Sequence, residues 1–271
     1  MGEHVREGRT YREMIGVAGC GRIGTSLLEA LLEAGAHAAG FDILTQSHAV
    51  ITTDIEQFAS SLRTLFIVVG DASDVEALLF DTQALLRHAS ELQQIILCTS
   101  VSQGYVHSVR DRISNDVQLV DAAIVGSVRD AENRMLTFLL GGSDDDIDEV
   151  IPLLSMIGKS FYRVGDLGMG MQVNGYSAMM SACQTAMTHL ALDWGRTAGL
   201  QDTQLLDILV NNSNPLTQDI IVNIREGYTQ DNQIGMQVRN LAAAIENAPK
   251  PGDVAIPQSV LNYLRNLKPQ S

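Results

Sequence analysis

Six residues near the amino end have the types and spacing to bind a diphosphate. Gly19-Cys20-Gly21-Arg22-Ile23-Gly24 reads G-x-G-x-x-G. It follows the apolar run Met14-Ile15-Gly16-Val17-Ala18 and opens a stretch with Ile23, Leu27, Leu28, Leu31 and Leu32 at helical spacing. Gly19 permits a tight turn, Gly21 lets a pyrophosphate approach the backbone, and Gly24 lets the helix pack against the strand. The helix start adds unpaired N–H groups and a partial positive charge. Arg22 either flanks the phosphates or points to solvent. Asp42 closes a second apolar run, 18 positions beyond Gly24. A carboxylate there accepts hydrogen bonds from ribose hydroxyls and repels an additional ribose phosphate. Val69-Gly70-Asp71-Ala72 and Thr99-Ser100-Val101-Ser102 end two further apolar runs. Their small and hydroxyl residues suit ribose and nicotinamide, and equally suit plain turns. The candidate dinucleotide site is therefore Gly19, Cys20, Gly21, Arg22, Ile23, Gly24, Asp42, Val69, Gly70, Thr99 and Ser100. The expected cofactor is NAD, with NADP the second candidate.

A second constellation lies in a long prolineless stretch. Asn174, Ser177 and Ser181 recur at i, i+3 and i+7, on one helix face. Such a strip either lines a cleft or joins helices through small polar contacts. An asparagine amide donates and accepts hydrogen bonds but transfers no proton near neutral pH. The chain has only three lysines, Lys159, Lys250 and Lys268, none of them nearby in sequence. Asp121, at the end of an apolar run, either orients a substrate or caps a turn. Tyr176 offers a hydroxyl to the cleft or packs in the core. Cys20 reads as a small filler. His88, His107 and His189 have no acid or cysteine at metal-ligand spacing, and no metal is expected. Asp144-Asp145-Asp146 reads as a helix start, where acids complement the dipole.

Strands are expected over Met14–Ala18, His37–Phe41, Thr64–Val69, Gln94–Cys98, Val117–Ala122, Met135–Leu140 and Phe161–Val164. Helices are expected over residues 23–34, 75–88 and 144–157. This alternation implies a parallel α/β sheet built from crossovers. After Gly168 the texture becomes helical: a span of about 28 residues from Met169, roughly 40 Å long, then 201–210, 216–226, 234–247 and 257–267. The fold class is α/β, a Rossmann-like dinucleotide-binding domain over 13–167, followed by an all-helical domain over 168–271, with a hinge near Gly165–Gly168.

With these elements in view, the chain from Met14 to about residue 265 resembles the β-hydroxyacid dehydrogenase superfamily, the group of 3-hydroxyisobutyrate and 6-phosphogluconate dehydrogenases. Three stretches carry the resemblance: IGVAGCGRIGTSLLEALLEAG at 15–35, LVDAAIVGS at 119–127, and LTFLLGGSDDDIDEVIPLLSMIGKSFYRVGDLGMG at 136–170. It implies hydride transfer between NAD(P) and an alcohol or carbonyl beside a carboxylate, a substrate held between the domains by the Val125-Gly126-Ser127 turn, and a homodimer with interlocked helical domains. The departures matter too. The family's lysine, four positions after a glycine, is here Asn174 after Gly170. Its asparagine positions are Ser177 and Ala178, its motif serine is Val125, and the glycine after it is Ser127. The resemblance thus makes Asn174, Ser177 and Asp121 the candidate catalytic residues. Imine reductases also lack the lysine, and their Asp-Gly-Ala-Ile-Met resembles Asp121-Ala122-Ala123-Ile124-Val125. A protonated iminium arrives already activated, so it needs less of a general acid.

The 271 residues carry 32 acids against 18 bases, a formal charge of −14, and 45% hydrophobic residues. That composition is globular, and its charge disfavours nucleic-acid and anionic-membrane partners. No apolar run reaches the ~18 residues of a membrane span. Three widely spaced cysteines, Cys20, Cys98 and Cys183, suit a reducing cytoplasm. The expected function is an NAD(P)-dependent oxidoreductase acting on a small carbonyl or alcohol. The alternatives are an imine or iminium reductase and a non-catalytic dinucleotide-binding protein.

Overall fold

The computed structural model describes residues 14–44, 48–212, 230–246, 248 and 254–267. The helix expected over 216–226 lies outside the described residues.

Eight strands form one sheet: β1 Met14–Ala18, β2 Ala38–Phe41, β3 Ile51–Thr52, β4 Leu62–Ile67, β5 Gln94–Leu97, β6 Gln118–Val125, β7 Leu136–Gly141 and β8 Gly158–Gly165, ordered β3-β2-β1-β4-β5-β6-β7-β8. Between them run α1 Arg22–Glu33, α2 Ile55–Ala59, α3 Ala72–Leu79, a 3₁₀ turn Leu85–Arg87, α4 Gln103–Arg110, α5 Val128–Glu132 and α6 Asp144–Leu154. Side chains alternate along the central strands, so each face of the sheet has its own core. Val17, Phe66, Ile96, Val120 and Phe138 pack with Leu27, Leu31, Val150 and Leu154 on one side. Leu65, Ile67, Ile95, Leu97 and Leu119 pack with Val75, Leu79, Val106 and Val109 on the other. Burial on both faces explains why these strands are apolar runs rather than alternating patterns.

One register row sets the site. Phe41, Ala18, Ile67, Leu97, Asp121, Gly141 and Gly165 lie side by side across seven strands. This row is the carboxyl edge of β1, β2, β4 and β5. The strand β6 runs four residues past it, Ala122–Val125, pairing there with β7, an overhang of about 13 Å.

Several expectations need correction. The sheet is mixed, because β7 is antiparallel to β6 and β8 is parallel to β7. The link from Gly126 to Met135 holds only the five-residue α5, too short for a parallel crossover. The helix expected over 75–88 is α3, ending at Leu79, then a turn with Ala84 at φ +43 before the 3₁₀ segment. Asp81 and Thr82 are poor helix formers, and Arg112 lies over the Phe80 ring at 3.6 Å. The third strand starts and ends two residues earlier than expected, β6 and β8 are longer, and β3, α2, α4 and α5 were not foreseen.

The chain divides into two compact units, Met1–Met171 and Gln172–Ser271. Helix α7, Met169–Thr197, is 29 residues long. The second unit continues with α8 Asp202–Asn212, α9 Gln230–Glu246 and α10 Ala255–Asn266. Ala182 and Ala186 of α7 pack against Leu241, Leu261 and Leu264, and Leu192 packs against Leu206. Gln237 Nε2 donates to Thr185 Oγ1 at 2.9 Å inside this bundle.

Candidate active site

The turn from β1 into α1 is shaped by its glycines. Gly19 has φ +91, and a Cβ there would lie 2.5 Å from the Val68 carbonyl oxygen. A Cβ at Gly24 would lie 1.9 Å from the Gly19 carbonyl oxygen. Gly21 differs: its φ is −69, and nothing lies within 4 Å of where its Cβ would be. That open space sits at the N-terminus of α1. Helices α2 to α6 are each capped by a side chain, Asp54, Asp71, Ser102, Ser127 and Ser143. Helix α1 has no side-chain cap and no acid in its first turn. Its first N–H groups are thus left to an anion from outside.

Asp42 follows β2 and is fastened at both oxygens. The Cys20 N–H donates to Oδ2 at 2.8 Å and the Leu44 N–H to Oδ1 at 2.9 Å. The carboxylate is thereby fixed beside the glycine turn, with lone pairs left for ribose hydroxyls. The Cys20 thiol is buried and donates to the Val17 carbonyl at 3.5 Å. Burial, with Asp42 nearby, pushes its pKa up to about 12, so it is a neutral filler and no nucleophile. Arg22 and Ile23 begin α1, Arg22 exposed and Ile23 half-buried.

The next two loops are joined by one hydroxyl. Thr99, 3% exposed, accepts from the Val69 N–H at 3.0 Å. It donates toward the carbonyls of Ile67 or Val69, both at 3.3 Å. The Gly70 N–H donates to Asp74 Oδ2 at 3.1 Å. Ser100 follows Thr99, half-buried, and Ser102 caps α4. The structure therefore brings Gly19–Gly24, Asp42, Val69, Gly70, Thr99 and Ser100 to one edge of the sheet. This arrangement fits a dinucleotide: an open cradle for phosphate, free helix N–H groups, a fixed carboxylate for ribose and small loops beyond.

Asp121 lies in the same register row and is fully buried. The Gly168 N–H donates to Oδ1 at 2.6 Å and the Met171 N–H to Oδ2 at 2.9 Å. Burial raises its pKa, while these backbone donors and the Gly170 N–H oppose the rise. Its cap is on the distant helix α7, not on its own next turn. Sequence reasoning missed these partners, though Gly168 and Gly170 were visible in the string DLGMG. Asn174 is buried and sits four residues after Gly170, on the same side of α7. Ser177 and Tyr176 are exposed. The Val125-Gly126-Ser127 turn stands at the tip of the β6 overhang. Ser127 is spent as the cap of α5, in a capping box with Asp130. Among the described residues no group of three or more His, Cys, Asp or Glu is placed to hold a metal, and no helix is long and apolar enough to cross a membrane.

Comparison with known proteins agrees with this geometry. Residues 14–165 match the model of the NAD binding domain of 6-phosphogluconate dehydrogenase. The chain is 25% identical to 2-(hydroxymethyl)glutarate dehydrogenase of Eubacterium barkeri, covering 91% of this chain and 86% of the relative. It superimposes on 3-hydroxyisobutyrate dehydrogenase from Salmonella typhimurium with a TM-score of 0.79 at 19% identity, covering 93% of both chains. A variant imine reductase from Myxococcus stipitatus, in complex with NAD+, gives 0.63 at 16% identity, covering 93% and 92%. Both structural likenesses show the fold. On the match over residues 14–165, more than half of the chain, it belongs to the β-hydroxyacid dehydrogenase superfamily and is an NAD(P)-dependent oxidoreductase.

Proposed function

We propose that the protein transfers a hydride from NADH to a small carbonyl substrate, or from the corresponding alcohol to NAD+, at the carboxyl edge of the sheet, with Asn174 in place of the superfamily lysine. The observation that carries this is the uncapped start of α1 beside the doubly fastened Asp42. Residues 13–167 are the dinucleotide domain and 168–271 the substrate and dimerisation domain on this reading. The bound cofactor supplies the hydride and the difficult chemistry. The chain supplies the rest. Helix α1 and Gly21 hold the diphosphate, Asp42 takes the ribose, and Thr99 keeps the two following loops together beside the ring. Asn174 and Ser177 are the candidate polar groups for substrate, and Val125, Gly126 and Ser127 are further substrate-binding candidates. An amide orients the reacting oxygen or nitrogen through hydrogen bonds. No Lys or Arg occurs from Met169 to Leu192, so the proton comes from another residue, from water, or is already on the substrate.

That last point favours a second reading, reduction of an iminium. With no lysine or arginine from Met169 to Leu192, the start of α7 offers no cation to pair with a carboxylate, whereas an iminium that arrives protonated needs none. A panel of semialdehydes, keto acids and cyclic imines with NADH, followed at the nicotinamide absorbance, separates the readings. Turnover of none, with NADH bound, sinks both. Asn174→Lys should raise hydroxyacid oxidation if Asn174 meets the substrate; unchanged activity and substrate binding count against that placement.

A homodimer is the expected assembly. Tyr176, Met180, Met187 and Trp194 are exposed at 48%, 54%, 61% and 69%. With half-buried Cys183 and Leu190 they recur at intervals of four and three, a continuous seam along α7. It lies away from Ala182 and Ala186, which face α9 and α10. Two molecules of charge −14 meet best on a face without charge, and residues 169–192 have no acid, lysine or arginine. Light scattering of the wild type and of Met187→Lys tests this. A monomeric wild type, or a variant that still dimerises, overturns it. The free cysteines suit a cytoplasmic setting.

A further inference from the structure

Helix α7 begins without a cap of its own. The residue before it is Gly168, with φ +88 and no side chain, and the third residue of the helix is Met171. An ordinary capping box draws two side chains from the helix itself, as Ser127 and Asp130 do at α5. Here both donors that such a box would satisfy, the N–H of the cap position and the N–H of the third residue, go to one residue 47 and 50 positions away, Asp121. Both carboxylate oxygens accept from N–H donors, which favours the ionised form against the burial that favours the neutral one. The room for that carboxylate is made by glycines. A Cβ at Gly141 would lie 2.3 Å from Oδ1, and one at Gly170 would lie 2.7 Å from Oδ2 and 2.4 Å from the Leu139 carbonyl.

We propose that Asp121 is a positioning residue: it clamps the first turn of α7 to strand β6 and so fixes where Asn174, the next turn on the same side of the helix, presents its amide. The consequence for turnover rests on the reading that Asn174 meets the substrate; the clamp does not. Asp121 has both oxygens committed and is closed off from solvent, so it acts on substrate only through the helix. Catalytic geometry is steeply sensitive to such placement, and a shift of about 1 Å in a positioned group costs roughly 100-fold.

The variant to make is Asp121→Asn. It keeps the shape but turns an NH₂ toward one of the two N–H donors. Hydrogen exchange of residues 168–172 should speed up at least tenfold, with the β1–α1 peptides and NADH affinity unchanged. Turnover number should fall roughly 10- to 100-fold, with no further fall when Asp121→Asn is added to Asn174→Ala, because one route is broken twice. Unchanged exchange at Gly168 and Met171 overturns the clamp, and multiplying losses in the double variant overturn its action through Asn174. If Asn174→Ala alone leaves turnover intact, the substrate reading fails while the exchange result still decides the clamp. Should Asp121→Asn not fold, the wild type still answers. First-turn amides of a helix have no acceptor inside it, so slow exchange at Gly168 and Met171 supports the clamp and fast exchange there refutes it.

Discussion

Alanine at Gly21 separates binding from folding more cleanly than any other change in the turn. The residue has φ −69, which any L-residue adopts, and its Cβ would meet nothing within 4 Å. Gly21 is the N-cap of α1, where alanine is worse than glycine by roughly 1 kcal/mol; the gain of about 0.4–1 kcal/mol from a stiffer unfolded chain offsets this, so the free protein should keep its stability to within about 1 kcal/mol. A diphosphate resting on the start of α1, however, would meet the new methyl. Moving it outward weakens one charge-assisted hydrogen bond or more, about 1.5–3 kcal/mol, or about 10- to 150-fold in NADH affinity. Gly24→Ala is the control. Its Cβ would lie 1.9 Å from the Gly19 carbonyl oxygen, a backbone atom, so the fold itself should suffer, by roughly 1–3 kcal/mol. Denaturant melts and calorimetry with NADH measure both quantities. If Gly21→Ala binds NADH as tightly as the wild type, the diphosphate does not lie there and the cofactor placement is wrong.

Asp42→Ala should lower NADH affinity about 10- to 100-fold by removing a charged acceptor and narrow the gap between NADH and NADPH; a wild type that binds both equally refutes the role assigned to this carboxylate. Burial holds the pKa of His189 below its ordinary value despite Asp193. The unfolded chain takes up that proton near pH 6.5 and the folded one resists it, so stability falls as pH drops below about 6.5. His189→Gln should shrink the loss in melting temperature between pH 7 and pH 5, and an unchanged slope would remove His189 from the account. Cys20, with its pKa pushed up to about 12, is about one part in ten thousand thiolate at pH 8. Iodoacetamide followed by mass spectrometry should leave Cys20 unlabelled until the protein is denatured; prompt labelling of the native protein at Cys20 would contradict the packing.

Much of the first unit was legible because its strands are buried on both faces. An apolar run bounded by glycine, such as Met14–Ala18, has few other readings. The glycine turn and Asp42 were legible for a related reason: each residue type answers a local steric or hydrogen-bonding demand. Longer-range pairings left no such trace. The reversal of β7 depends on the length of the link before it, and composition around Leu136 carries no direction. The partnership of Asp121 with Gly168 and Met171 joins positions 47 and 50 apart; each looked like a generic turn residue alone. Asn174 and Ser177 share a side of the helix in sequence yet differ in structure, one buried and one exposed, because burial depends on neighbours the pattern does not name.

The reversal of β7 has a consequence for engineering. Because β6 overshoots the row and β7 doubles back, β7 and then β8 return the chain to the level of Asp121, where α7 departs. A strand continuing in the parallel sense would have delivered that helix to the wrong height. Residues 118–171 therefore behave as one cassette, whose outgoing register, clamp and helix start are set together. A chimera that exchanges the long helix without the hairpin beneath it would inherit a misaligned lever, whereas a transplant of the whole cassette carries its own alignment.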